Sequence, residues 1–496
     1  MIAKTGIGRA DTKGQVDMKR KTGRGFLKTT ALTLGLAAAI SVSFASTRGA
    51  ADTLADALVG AYTHSGLLQQ NRALLRAADE DVPIALSALR PIVNWSADLA
   101  QVVGDTTSES TGGVARSIDT TTISLELTAS WQLYDFRADA TRVEALKETV
   151  LATRATLLNI EQALLLRAAS AFFNVGRQEN FVSLSQNNLR LLQQELRAAN
   201  DRFEVGEVTR TDVSLAEAAV AQARSNLADA QRNLIQAQAE YANVVGRQPG
   251  RLSGLPPLPR TETRIDTAQS VAVRNHPEME TARRQVSANE LLVTAAAKDK
   301  LPVLSLSGRV SVDEEIGGDD STEQASIGLN LTGPIYQGGR LSALERQAIA
   351  NRDAARGNLH NVRHGVQQDV VNAISDFNAA RASLAASERQ IRAARIAFQG
   401  VREEATLGAR TTLDVLDAEQ NLLDAETNRI SAQADQYIAA YAVLESMGLL
   451  TAQNLKLPVQ IYDPSAYYNL VRNAPVKRSR QGRQLDQVLR ALQVED

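Results

Sequence analysis

The chain has 496 residues but only 9 Phe, 9 Tyr and 2 Trp, and it has no cysteine. Bulky side chains are too few for large compact globules, and a disulfide or an amino-terminal lipid anchor on cysteine is excluded. The formal charge is -2 with acidic and basic residues interspersed, which gives no footprint for a nucleic-acid backbone.

Residues 1–45 read as a leader and secretory signal peptide. Lys19, Arg20, Lys21, Arg24 and Lys28 precede an apolar run from Ala31 to Phe44, with Ser43 and Ala45 as the small residues before a cut. Met18 is a second candidate start, and the mature chain is expected from Ser46. The run is short for a membrane helix. No later segment is apolar enough, so a bilayer would be crossed by strands.

The mature chain divides into a first repeat over 46–250, a linker over 251–265, a second repeat over 266–452 and a carboxy-terminal extension over 453–496. From Tyr134 to Gly246 the sequence recurs 202 positions later without a gap. Tyr134 matches Tyr336, Gly206 matches Gly408, Thr209 matches Thr411, Asp212 matches Asp414, Glu217 matches Glu419 and Gly246 matches Gly448. A helix is expected from His64 to Leu89. Strands follow at about 91–103 and 120–133, where Val93, Trp95, Ala97 and Leu99, then Ile123, Leu125, Leu127, Ala129 and Trp131, alternate with polar residues. Strands at about 302–312 and 325–335 repeat the pattern with Leu304, Leu306, Gly308 and Val310, then Ile327, Leu329, Leu331 and Ile335. Polar stretches from Gly104 to Thr120 and from Asp313 to Gln324 read as external loops of a membrane barrel. Four strands cannot close one, since about eight is the practical minimum, so the edges must pair with other copies.

Very long helices are expected over 138–203 and 341–406, with shorter ones over 212–245 and 412–447. The helix from Asp212 carries the stripe Val213, Ala216, Val220, Ala223, Leu227, Ala230, Leu234, Ala237, Tyr241 and Val244 at alternating spacings of three and four. A weaker stripe, Ala218, Ala221, Ser225, Ala228, Ile235, Ala239 and Ala242, points elsewhere, so the helix has a neighbour on each side. An ordinary antiparallel coiled coil needs only the first.

Four motifs in order, GPIYQGGR at Gly333–Arg340, VGEVTRTDV at Val205–Val213, LGARTTLDVLDAEQ at Leu407–Gln420 and YDPSAYYNLVRNAP at Tyr462–Pro475, resemble the TolC family of outer-membrane channel proteins. The resemblance runs from about Thr53 to Pro475. It implies a mainly α fold with a small β part: a homotrimer with a 12-stranded outer-membrane barrel, four strands per chain, continued by a 12-helix periplasmic α-barrel. Tyr134-Asp135-Phe136-Arg137 stands where the second copy has Tyr336-Gln337-Gly338-Gly339, so the sequence does not fix how sharp the first turn is.

The resemblance implies a passive exit duct for proteins or small toxic compounds, serving an inner-membrane ABC or proton-driven transporter through a periplasmic adaptor. Asp414 and Asp417 match the family's constricting aspartates, and three copies would bring six carboxylates to one ring. Arg410, Thr211 and Asp212 match its closed-state latch, with Ala405 where a tyrosine is expected to meet Asp212. Val205, Gly206, Glu207, Val208 and Thr209, with Leu407, Gly408 and Ala409, match the adaptor-docking turns. The simpler reading makes Asp212 and Asp414 first-turn acids at helix starts. His360 and His364, four apart, fit a solvated helix face better than a metal site, and His64 and His276 look like helix starts. No cofactor and no catalytic constellation is expected. The competing reading is a secreted or periplasmic coiled-coil scaffold without a pore.

Overall fold

The structure, a computed structural model, describes residues 52–107 and 112–494. The expected signal peptide lies outside them. Helices α1 (Leu54–His64) and α2 (Gly66–Ser87) lead into strands β1 (Ile92–Thr107) and β2 (Ala115–Tyr134), then into α3 (Ala138–Glu204) and α4 (Arg210–Val245). The second copy sets α5 (Ile265–Asn275) and α6 (Pro277–Lys298) before β3 (Val303–Glu315), β4 (Ser321–Thr332), α7 (Arg340–Thr406) and α8 (Thr412–Ser446). Helices α3 and α7 have 67 residues each, which makes each roughly 100 Å long.

The helix expected from His64 to Leu89 is α2, and His64, expected at its start, stands before it. His64 closes α1, and the Ser65 hydroxyl caps α2 by accepting from the Leu68 N–H at 3.2 Å. His276 does begin a helix, its Nδ1 accepting from the Glu278 N–H at 3.3 Å at the start of α6.

Each long helix starts from a turn with two consecutive left-handed residues. In the second copy these are Gly338 (φ +58°) and Gly339 (φ +84°); in the first they are Phe136 (φ +56°) and Arg137 (φ +65°). Left-handed backbone costs a side-chain-bearing residue about 1–2 kcal/mol. Asp135, only 9% exposed, offsets this by accepting from the Arg137 N–H at 2.9 Å and the Asp139 N–H at 2.7 Å. Both donors belong to a helix start that would otherwise leave them bare. The first turn is therefore as sharp as the glycine one, held by a carboxylate.

The four strands form one antiparallel sheet in the order β1-β2-β3-β4. Register aligns the alternating residues into rows: Val93 with Ala129, Gly308 and Ile327; Trp95 with Leu127, Val310 and Ala325; Trp131 with Leu306 and Leu329. One face is thus apolar across these rows, with Glu314, Ser321 and Glu323 joining it only toward the β3–β4 turn, and Trp95, Leu99, Leu127, Val310, Ile327, Leu329 and Leu331 all stand exposed on it. The other face carries Asn94, Thr128, Arg309 and Ser326 in one row and Ser96, Glu126, Ser311 and Gln324 in the next, with Arg309 paired to Glu126 at 2.8 Å. Much of both polar stretches expected as loops pairs into strand, β1 with β2 up to Thr107 opposite Ala115 and β3 with β4 up to Glu314 opposite Ser321. No described helix is long and apolar enough to cross a membrane.

The main apolar core gathers Leu68, Leu75, Phe172, Phe173, Tyr241 and Ile374 where the short helices meet the long ones. Toward the α3–α4 and α7–α8 turns it thins to small groups: Leu192 with Val220 and Ala223, Ala199 with Val213 and Ala216, Phe398 with Ala405 and Val415. After α8, helix α9 (Pro464–Val471) lies along α2, where the Tyr467 hydroxyl donates to Glu80 at 2.6 Å. The Arg72 guanidinium sits 5.0 Å from the rings of both Tyr62 and Tyr462. Within the carboxy-terminal extension, the tail beyond Pro475 forms helix α10 (Arg480–Val494).

Candidate functional site

The two hairpin turns, 205–209 and 407–411, have one construction. Gly206 (φ +82°) and Gly408 (φ +77°) take the left-handed position that ends each long helix. The Glu207 N–H donates back to the Arg202 carbonyl at 2.9 Å and the Ala409 N–H to the Glu404 carbonyl at 2.9 Å, closing the last helical turn. Thr209 and Thr411 then begin the returning helices. The Thr209 hydroxyl accepts from the Asp212 N–H at 3.4 Å while Asp212 Oδ2 accepts from the Thr209 N–H at 2.9 Å. Thr411 and Asp414 repeat this at 3.2 and 3.0 Å. Two orphan donors are satisfied at each start.

Asp212 and Asp414 are therefore, in the chain by itself, the third-position partners of the Thr209 and Thr411 caps. The Thr209 hydroxyl and N–H, with a contribution from the Thr412 hydroxyl of the second turn, hold the Asp212 carboxyl below its ordinary range. The Thr411 N–H and hydroxyl do the same for Asp414. Asp417 lies three residues further along α8 and is exposed. Arg410 donates to Glu404 Oε2 at 2.9 Å within its own hairpin rather than to Thr211. Ala405 is buried against Phe398 and Val415. The turns carry bare aliphatic side chains at their ends, Val205 at 71% exposure and Leu407 at 85%.

Sequence reasoning missed a buried acid just above these turns. Glu419 of α8, 3% exposed, sits in the joint between the two hairpins. Its Oε1 accepts from Asn188 Nδ2 of α3 at 3.0 Å, and its Oε2 has no partner. Glu195 of α3 faces the same joint and holds Arg402 of α7 at 2.9 Å. Burial, reinforced by the nearby Glu195 carboxylate and opposed by Arg402, pushes the Glu419 carboxyl up to about 7. A signal was available in the alignment of the two copies. Glu217 and Glu419 match, but Asn188, Glu195 and Arg402 align with Gln390, Ala397 and Asn200.

His360 and His364 stand exposed on α7 with their Nε2 atoms 3.1 Å apart. Among the described residues no group of three or more His, Cys, Asp or Glu could hold a metal ion.

A family model described as outer membrane efflux protein matches residues 60–247 and 269–449, one segment in each repeat. The chain belongs to the outer membrane efflux protein family. The outer membrane efflux protein BepC of Brucella suis is 35% identical over 424 residues, 85% of this chain and 91% of that relative. Outer membrane protein TolC of Escherichia coli is 25% identical over 437 residues, 84% of this chain and 86% of that one. The outer membrane channel CmeC of Campylobacter jejuni superposes with a TM-score of 0.71 at 17% identity, over 81% of this chain and 88% of its own, a likeness of fold. Family membership places the protein in the bacterial outer membrane with its helices extending into the periplasm.

Proposed function

We propose that three copies form an exit duct through the outer membrane, twelve strands closing a barrel above twelve helices. A periplasmic adaptor and an inner-membrane ABC or proton-driven transporter engage it and supply the energy, so the chain itself catalyses nothing. The observation that carries this reading is the sheet: its apolar face is bare, and β1 and β4 each have one unpaired edge among the described residues. A coiled-coil scaffold has no use for such a face. Small toxic compounds or proteins are the cargo; the family description and the efflux named for the Brucella relative support the former.

At the periplasmic end, Asp414 and Asp417 of the three copies form the constricting ring, which attracts cations and repels anions. Arg410, Thr211 and Asp212 link neighbouring turns in the shut state. With Ala405 in place of a tyrosine the latch has fewer bonds, and opening is easier by about 1 kcal/mol for each one absent. Residues Val205 to Thr209 and Leu407 to Ala409 dock the adaptor, the bare Val205 and Leu407 supplying apolar contact.

Conductance in planar bilayers tests the gate. Because Asp414 also accepts from the Thr411 N–H at the start of α8, Asp414→Asn is the suitable change there, since an amide oxygen can still accept that bond. Combined with Asp417→Ala it is expected to raise conductance and weaken cation preference. Unchanged conductance and selectivity would overturn the gate assignment.

A further inference from the structure

The joint around Glu419 lies five residues along α8 from Asp414, where α3 and α4 of the first hairpin meet α7 and α8 of the second. An ionised Glu419 has one donor, Asn188, for two oxygens, a like charge beside it, and an arginine already committed to Glu195. A protonated Glu419 keeps the Asn188 bond on one oxygen and carries no charge into the buried joint. The charged groups that act on it are Glu195 from α3 and Arg402 from α7. What borders the joint from α4 is apolar, with Ala219, Val220 and Ala223 packed near Leu416 of α8; Leu191 of α3 and Val401 of α7 close it from the other side.

The duplication supplies a comparison within the chain. Glu217 occupies the matching place on α4 and is exposed, and the residues that align with Asn188, Glu195 and Arg402 are Gln390, Ala397 and Asn200. The acidic joint is thus built once per chain, between the first hairpin and the second.

We propose that Glu419, positioned by Asn188 and set against the Glu195–Arg402 pair, is a proton-operated latch between the two hairpins, closed when Glu419 is protonated and released when it ionises. This rests on the reading of the turns as the gate and adds its regulation. In the closed joint the carboxyl titrates near 7; freed into water it returns to the ordinary 4.5. The freed form therefore binds the proton less tightly. Closure is most favoured below the lower value, is lost progressively as pH rises between the two, and changes no further above 7. Within that window the closed-to-open ratio falls by up to about tenfold for each pH unit.

The test is single-channel conductance of the full chain in planar bilayers across this window, in the wild-type and Asp417→Ala backgrounds so that the carboxylate ring is accounted for. Wild type is expected to conduct more as pH rises, while Glu419→Gln, neutral at every pH, stays at the acid-side value. Glu195→Gln removes the like charge and frees Arg402, so the midpoint should move to lower pH; this variant keeps the test decisive if Glu419→Gln assembles poorly. A Glu419→Gln channel that retains the wild-type rise, or a Glu195→Gln midpoint that does not move, overturns the latch while leaving the duct intact. A protein that conducts at no pH removes both.

Discussion

Asp135 shows what a single side chain does where glycine is absent. Phe136 and Arg137 sit in the left-handed region, as Gly338 and Gly339 do in the second copy, and the Asp135 carboxylate holds them there through two backbone bonds. Arg137→Gly should relieve strain and raise the dissociation temperature of the assembled protein, with a gain of about 1 kcal/mol. Asp135→Ala should lower that temperature, at a cost of about 2 kcal/mol for two lost bonds from a nearly buried acceptor. Thermal dissociation followed by gel mobility reads both, and equal temperatures for all three proteins would remove this account of the turn. The sharp second turn was legible because glycine announces positive φ. The first was not, because the residue that makes it possible lies just before the residues that need it.

At the scale of elements, period and repetition were readable and extent was not. The alternation of Val93, Trp95, Ala97 and Leu99 names the strand and its apolar face, and the spacing of Val213, Ala216, Val220 and Ala223 names the buried face of α4, all four of which are buried. Sequences rich in Gly, Ser, Thr and Asp read as loop by propensity, yet Gly104 pairs with Ile118 and Asp313 with Thr322 because a partner strand lies alongside. The bland helix-start reading of Asp212 and Asp414 and the functional one are both compatible with the geometry, since a cap and a ring use the same carboxylate differently. The face assignment has a direct consequence. Leu127 lies between Trp95 and Val310 on the exposed apolar side, and Thr128 on the other. Leu127→Lys should cost about 2–4 kcal/mol if that side meets lipid near the bilayer midplane, whereas Thr128→Lys should be tolerated. The fraction of chain recovered folded in the outer membrane measures the difference, and equal recovery would place the lipid elsewhere.

For the whole molecule, the informative surfaces are those that one copy leaves uncovered. On α4 the first stripe is packed against its own chain, but Ala218, Ala221, Ser225, Ala228 and Ala239 of the second are exposed, and Ile235 is 66% exposed. Small residues along a helix allow a close neighbour, and among the described residues this stripe has none, just as β1 and β4 each lack a strand on one side. Sheet edge and helix stripe therefore ask for the same thing at two levels of the molecule, further copies joined side by side. A glutamate at position 235 would be carried, unpaired, into that contact and lose its water, a cost of several kcal/mol per copy that an assembly of three meets three times. Ile235→Glu is thus expected to give monomers after mild detergent extraction and chemical crosslinking. Gln236→Glu, one residue on and outside both stripes, should leave the trimer intact, which separates loss of the contact from a general effect of added charge. If Ile235→Glu assembles as well as its control, the second stripe is an ordinary solvated surface, and the joining of copies must rest on the strands alone.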